Sequence, residues 1–371
     1  MILDLVALAL LAAPPADTLV VGILSDPVTL SPHRATDLVS QAIIANTSDT
    51  LVRQRGEASR LEAALATTWA TPDHRTWTFT LREGVRFHDG APLDAEAVVR
   101  NFESLRAQRG FPGVAERLGP LVVRLLLDRP NAALLSTLSQ PFYAMQSPRA
   151  LDSEGASAVG TGPFRLAASR SGLIELAADP EHWGGAPRLR RITFRRYPRE
   201  DALVSALLAG EVDLTSALGP GRMDTLRVKP GLSLESSTGL NVAFLSVNNE
   251  RPPWSDARVR QALSRAIDRE ALVARFLGGH GEPARGPLPP ALLPPAGTTK
   301  DLVLDRPGAQ RLLSEAGFSE GVAGPLLVVD APRPYMPMPV ELAGALREQL
   351  AAANIRVVTR TAASWAEYLE L

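Results

Sequence analysis

Between Thr76 and Leu105 the hydrophobic period of the chain changes once, and that change limits what this stretch can fold into. Trp77, Phe79 and Leu81 fall on one side of an alternation, and Thr78, Thr80 and Arg82 on the other. A period of two is the signature of a half-buried strand. Glu83-Gly84 reads as a turn, and Val85 and Phe87 continue the alternation, so a β-hairpin is expected. His88-Asp89-Gly90 is turn chemistry again, with a glycine free to take positive φ. Asp94 is then placed to cap a helix whose apolar residues Ala95, Val98, Phe102 and Leu105 follow helical spacing. The stretch predicts a compact α+β unit, and residues 46–159 can form one small lobe around it. It carries no chemistry of its own.

Composition narrows the function classes. The 371 residues allow more than one core, and 45% hydrophobic with 21% charged residues is ordinary for a globular protein. A formal net charge of −1 gives no broad attraction to nucleic acid or an anionic membrane. The absence of cysteine excludes disulfides, thiolate metal sites, a cysteine nucleophile and a lipid-modified cysteine. The five histidines, His33, His74, His88, His182 and His280, lack zinc spacing, and no G-x-S-x-G elbow is present. His88 beside Asp89 would point to the opposite face on an extended chain, so a turn role is expected for both. No cofactor, metal site or catalytic residue is predicted. Met1 to Ala16 carries an unbroken apolar run from Leu5 to Ala13, too short to span a membrane, followed by small residues. This matches a secretory signal peptide apart from the missing basic residue before the run.

Further along, Glu200 to Ala209 predicts a helix stopped at Gly210, and Asn241 to Asn248 a strand. Asp256 is a helix cap ahead of Val259, Ala262, Leu263 and Ala266. Asp305 to Gly317 is a complete helix signal, with an Asp cap, Pro307 in the first turn and glycine at the stop. Val340 to Ala353 predicts another helix, with Asn354 able to take the left-handed conformation at its end, and Ile355 to Thr359 a strand. Gly160 to Phe164, GTGPF, is glycine-rich, but a phosphate-cradling loop is excluded because Pro163 follows at once and no Lys-Ser or Lys-Thr does.

Leu81 to Gly90 resembles, without a gap, the L-R-E-G-V-x-F-H-D-G run of the family-5 extracellular solute-binding proteins, the dipeptide, oligopeptide and nickel receptors of bacterial ABC importers. Leu61 to Trp69, Gly160 to Pro163, Asp179 to Gly185, Glu211 to Leu214 and VRQALSRAIDREALV (Val259 to Val273) are similar to further stretches of that family, in one register from about Thr18 to Leu369. The resemblance implies an α/β, periplasmic-binding-protein-like two-lobed fold with an extra small α+β lobe. Residues 17–45 and 160–240 would form lobe I, 46–159 lobe II and 241–371 lobe III, with GTGP a hinge or tight crossing between lobes. Relatives continue well beyond the segment seen here at Ser364 to Leu369, so the C-terminal part is expected to be incomplete.

Two places are candidates for ligand contact. Arg333 sits among Pro332, Pro334, Pro337 and Pro339, a stiff setting for a guanidinium fork that reads a carboxylate. The residues alone favour a surface arginine paired with a nearby acid. The run R-P-Y-x-P resembles that of dipeptide-type receptors, which implies that Arg333 takes the ligand's C-terminal carboxylate with Tyr335 close by. Ala35, Thr36 and Asp37 follow a strand and a proline-containing turn. The resemblance places them in a cleft-lining loop, whereas the bland reading leaves Asp37 solvated or capping the next helix. The implied function is the periplasmic substrate-binding component of an ABC transporter, a monomer that closes on a peptide-like solute and delivers it to a membrane permease. Alternatives are a receptor for another small solute (nickel chelate, sugar, opine) or a non-transporting remnant. A hydrolase is disfavoured by the lack of a nucleophile–base pair.

Overall fold

The computed structural model describes residues 17–55, 60–152, 158–227, 229–235, 241–284, 286–289, 303–330, 336–363 and 365–370. The chain divides into two compact units, Met1–Ala217 and Leu218–Leu371.

The first unit opens with β1 (Thr18–Ile23) and α1 (Leu38–Thr47), followed by the hairpin strands β2 (Val52–Arg55) and β3 (Arg60–Ala63). Next come β4 (Ala66–Ala70), β5 (Thr76–Leu81), α2 (Ala95–Arg109), β6 (Gly113–Gly119) and β7 (Val122–Leu127). Short helices α3 (Leu134–Leu138) and α4 (Pro148–Leu151) lead to β8 (Phe164–Arg170), β9 (Leu173–Ala178), β10 (Arg191–Arg196) and α5 (Glu200–Leu208). One antiparallel sheet runs in the order β4-β5-β7-β6. The alternation seen in the sequence is the burial pattern: Trp77, Phe79 and Leu81 are all buried. They join Val98, Phe102 and Leu105 of α2 in one core with Leu125 and Leu127 of β7. Truncating a residue such as Phe102 there costs about 3–5 kcal/mol.

The expected hairpin after β5 does not form. Both edges of β5 are already occupied, by β4 and by β7. Val85 and Phe87 are buried as their alternation implies, yet they lie in a turn with a single bridge, Arg86 to Pro92. Gly90 closes that turn at φ +83, and Asp94 caps α2 by accepting from Ala97 N at 2.8 Å.

The second sheet of this unit has the order β1-β10-β9-β8, parallel at β1–β10 and antiparallel elsewhere. Asp213 ties the free side of β1: its Oδ2 accepts from Val20 N at 2.7 Å, and its own N–H donates to Val20 O at 2.9 Å.

The second unit holds α6 (Pro220–Arg227), α7 (Ala257–Ala266), α8 (Arg269–Leu277), α9 (Arg306–Glu315), β11 (Val322–Val329), α10 (Pro339–Ala351), β12 (Ile355–Ala362) and α11 (Trp365–Glu370). Strands β11 and β12 pair in parallel, with α10 as their crossover. Aspartates cap three helices through backbone N–H groups. Asp256 accepts from Arg258 at 2.8 Å, Asp268 from Ala271 at 3.0 Å and Asp305 from Gly308 at 2.8 Å. Asn354 takes φ +62 at the turn into β12, as its place after α10 predicts. Residues 241–248 are not a strand. They run without a ladder partner among the described residues, Leu245 and Val247 resting on the core while Phe244 is 79% exposed. A period of two becomes a strand only when another edge accepts its hydrogen bonds.

Candidate functional site

The loop between β1 and α1 carries three of the predicted contact residues, and the structure gives them different environments. Ala35 is buried at 1% exposure, and Thr36 is exposed. Asp37 is the N-cap of α1: Oδ1 accepts from Ser40 N at 2.9 Å, and Oδ2 from Ser40 Oγ at 2.5 Å and Val28 N at 3.4 Å. Capping orphan donors is what an aspartate before a helix does best. Thr36 is therefore the most exposed of the three, with Asp37 half-buried. Arg333 and Tyr335 lie outside the described residues.

The loop is held from beneath by α2, a feature sequence reasoning missed. His33 is buried, with Nδ1 2.8 Å from Ser104 Oγ and Nε2 3.2 Å from the Ala144 carbonyl. A carbonyl can only accept, so Nε2 carries the proton and Nδ1 accepts from the serine hydroxyl. Burial drives the His33 pKa down to about 4, assisted by the nearby Arg109 cation. Arg109 Nη2 donates to the Ala35 carbonyl, and the guanidinium lies 4.4 Å from the centre of the Phe142 ring. Burial pulls its pKa down as well. A basic residue in the last turn before Gly110 reads only as a complement to the helix dipole. Nothing local signals that it reaches back to residue 35.

A second fixed point lies at GTGP. The backbone of Gly160 and Gly162 passes against the end of α1 so closely that a Cβ at Gly160 would stand 2.3 Å from Thr47 O, and one at Gly162 2.5 Å from Thr47 C. His88 joins this crossing: its N–H donates to Gly160 O at 2.9 Å, and its Nε2 donates to Gly162 O at the same distance. Burial lowers its pKa. Asp89 does not pair with the imidazole. It accepts from Ser147 Oγ at 2.6 Å and from Ala91 N at 3.1 Å, which is the expected turn role. Asp49, next to the crossing, accepts from Thr161 Oγ1 at 3.0 Å and Trp183 Nε1 at 2.9 Å. His182 Nε2 stands 3.6 Å from the same carboxylate. Burial works against the charged form of His182, yet Asp49 and the Gly185 carbonyl hold its pKa above the ordinary value. These side chains are committed to positioning backbone. Among the described residues no group of three or more His, Cys, Asp and Glu side chains is arranged to hold a metal ion, and no helix is long and apolar enough to cross a membrane.

The sequence model of the bacterial extracellular solute-binding proteins, family 5 Middle, matches residues 60–371. The glutathione-binding protein GsiB of Escherichia coli K12 is 30% identical over 334 residues, covering 85% of this chain and 65% of its own length. Curated relatives such as this are thus spanned over about two thirds of their length or less. Among solved structures, the ABC transporter-associated periplasmic binding protein DppA from Helicobacter pylori, in complex with the peptide STSA, superposes with a TM-score of 0.81 at 25% identity. The match covers 95% of this chain and 75% of that one. NikA from Brucella suis in complex with Fe(III)-EDTA gives a TM-score of 0.80 at 25% identity, covering 95% and 76%. The fold is therefore that of the periplasmic binding proteins, as the resemblance in the sequence implied.

Proposed function

Because the chain belongs to the bacterial extracellular solute-binding proteins of family 5, we propose that it is the substrate-binding component of an ABC importer. It takes up a peptide-like solute outside the cytoplasmic membrane and passes it to a permease. The observation that carries this reading is the family match over residues 60–371. The glutathione-binding GsiB and the STSA-bound DppA, both similar to this chain, favour a short peptide with a free carboxylate. Arg333 is proposed as the carboxylate reader, with Tyr335 beside it and Thr36 as a contact from the loop ahead of α1. No reaction is assigned. The relatives are binding proteins, and the imidazoles of His33 and His88 are tied to backbone carbonyls. The protein is proposed to work in the periplasm as a monomer.

The similarity to the chelate-bound NikA supports a second reading, a small anionic metal chelate as cargo. A thermal-shift screen separates the two. A ligand that binds only the folded state raises the melting temperature by mass action. Free-acid dipeptides and glutathione should raise it, with amidated dipeptides inert. A response to Fe(III)-EDTA or nickel–histidine alone would replace the peptide reading, and release of amino acids during incubation would overturn the assignment as a binding protein.

A further inference from the structure

The β2–β3 hairpin, the end of β5 and the turn at His182 to Gly185 surround a cleft of about 890 Å³, all within the first unit. Arg53, Arg55 and Arg82 line it, and the acids among the described residues do not match them. Glu62 is shared, its Oε2 3.4 Å from Arg53 Nε and 3.8 Å from Arg55 Nε. Asp49, the acid in the cleft lining, is already engaged by Trp183 and Thr161. Arg82 uses Nε on the Ala64 carbonyl at 3.1 Å and lays its guanidinium 4.5 Å from the centre of the Trp183 ring. Its terminal nitrogens have no hydrogen bond among the described residues. Nor does the Arg53 side chain, whose Nε is buried.

Among the described residues, the three guanidiniums of Arg53, Arg55 and Arg82 stand against the carboxylates of Glu62 and Asp49, an excess of positive charge to which the nearby His182 adds when protonated. Guanidinium forks match the planar geometry of oxyanions and bind them in pairs of parallel hydrogen bonds. The volume is that of a small-molecule pocket, larger than a single ion requires. Trp183 is flanked by Arg82 and by the His182 ring at 5.2 Å, which leaves it as a rigid support for Arg82.

We propose that this cleft binds the oxyanionic group, carboxylate or phosphate, of a small solute between Arg53 and Arg82, as a site separate from Thr36 and Arg333. The inference does not depend on the identity of the transported solute.

The test titrates the full chain with inorganic phosphate, with N-acetylglycine as the carboxylate probe, and with chloride at matched ionic strength, following melting temperature and tryptophan fluorescence. A saturable response to phosphate or N-acetylglycine beyond that of chloride is expected. Arg53→Gln and Arg82→Gln should each weaken it about tenfold or more, and Arg53→Lys should retain part of it, because it keeps the charge without the fork. Saturation by only one probe identifies which oxyanion the site takes, and competition between both identifies a general oxyanion site. If Arg53→Gln fails to fold, Arg53→Lys decides, since loss of the fork alone must already weaken binding. A response no larger than chloride's overturns the proposal. So does binding that is unchanged in Arg53→Gln, or that is lost in Arg333→Ala instead.

Discussion

The Nε2 of His88 lies 2.9 Å from the carbonyl oxygen of Gly162, and this contact joins two stretches that are far apart in the chain. His88 ends the turn that follows β5, whereas Gly162 sits where the backbone must pass Thr47 without a side chain. The two lock one geometry from opposite sides.

Gly162→Ala should therefore be strongly destabilising, by about 3 kcal/mol, since the added Cβ meets backbone atoms that cannot rotate away. His88→Ala should cost about 1–2 kcal/mol, the loss of the Nε2 hydrogen bond that leaves the buried Gly162 carbonyl unpaired, while the backbone bond to Gly160 O is kept. Urea melts of the two variants measure both. A wild-type midpoint for Gly162→Ala would show that the crossing opens freely and is not a fixed point.

Stability should fall in mild acid through His33. Its folded pKa of about 4 lies below the ordinary 6.5, so the fold favours the neutral ring. The full contribution is present above about pH 6.5. It declines as the pH falls towards 4, and below that the penalty is constant, amounting to about 3 kcal/mol. His88, also lowered, acts in the same direction. His182 is raised and acts oppositely: its contribution is full in acid and is lost as the pH rises through its folded value. The check is a set of denaturant melts from pH 4 to 7.5 for the wild type and His33→Gln. The gap between them should narrow steadily as the pH falls, and a constant gap would mean that His33 does not titrate in this window.

At the start of the parallel pair, Gly321 has φ +90, and a Cβ there would stand 2.1 Å from Asn354 O. That carbonyl accepts from Val322 N at 3.0 Å, so the β11–β12 register begins at this contact. Gly321→Ala should destabilise the second unit by more than Asn354→Val, which should cost about 1–2 kcal/mol for a branched residue in the left-handed region. Asn354→Gly should be close to neutral. Chemical denaturation of the three variants ranks them, and a neutral Gly321→Ala would contradict the close approach.

For the proposed carboxylate reader, a charge-assisted hydrogen bond is worth about 1.5–3 kcal/mol net. Arg333→Ala should weaken a free-acid dipeptide by about tenfold to a few hundredfold, and Arg333→Lys should recover only part. A C-terminally amidated dipeptide should bind poorly and be indifferent to the change. Equal losses for both ligands in a calorimetric titration would remove Arg333 from that role.

What was legible in the sequence was local. The caps at Asp94, Asp256 and Asp305 and the left-handed turn at Asn354 are set by one residue and its next few neighbours, and each is where the pattern puts it, whereas at Asp37 the pattern left ligand contact and capping both open and the structure shows the cap. The strand expectations failed where a partner was needed. Val85 and Phe87 alternate correctly, but β5 has no free edge to offer them, and residues 241–248 alternate with no edge described beside them. Of the candidate site the sequence offered residue positions and not their setting. The loop at Ala35 to Asp37 could be located, but its fastening by Arg109 and Ser104 depends on α2 packing beneath it. The arginine cleft escaped notice because Arg53 and Arg82 belong to different strand regions and each reads alone as a solvated charge.

The parallel pairing of β1 with β10 matches Thr18 to Arg191 and Ile23 to Arg196, and Asp213 secures the other side still later in the chain. During synthesis, β1 emerges before both of these neighbours and must wait for them. The sheet of β4 to β7 draws all its strands from residues 66–127 and can close long before. Contacts of such wide sequence separation are slow to form and leave apolar strands uncovered meanwhile. Strand β1 is thus made well before the partners that shelter it, and until β10 and Asp213 arrive it is exposed to aggregation and proteolysis.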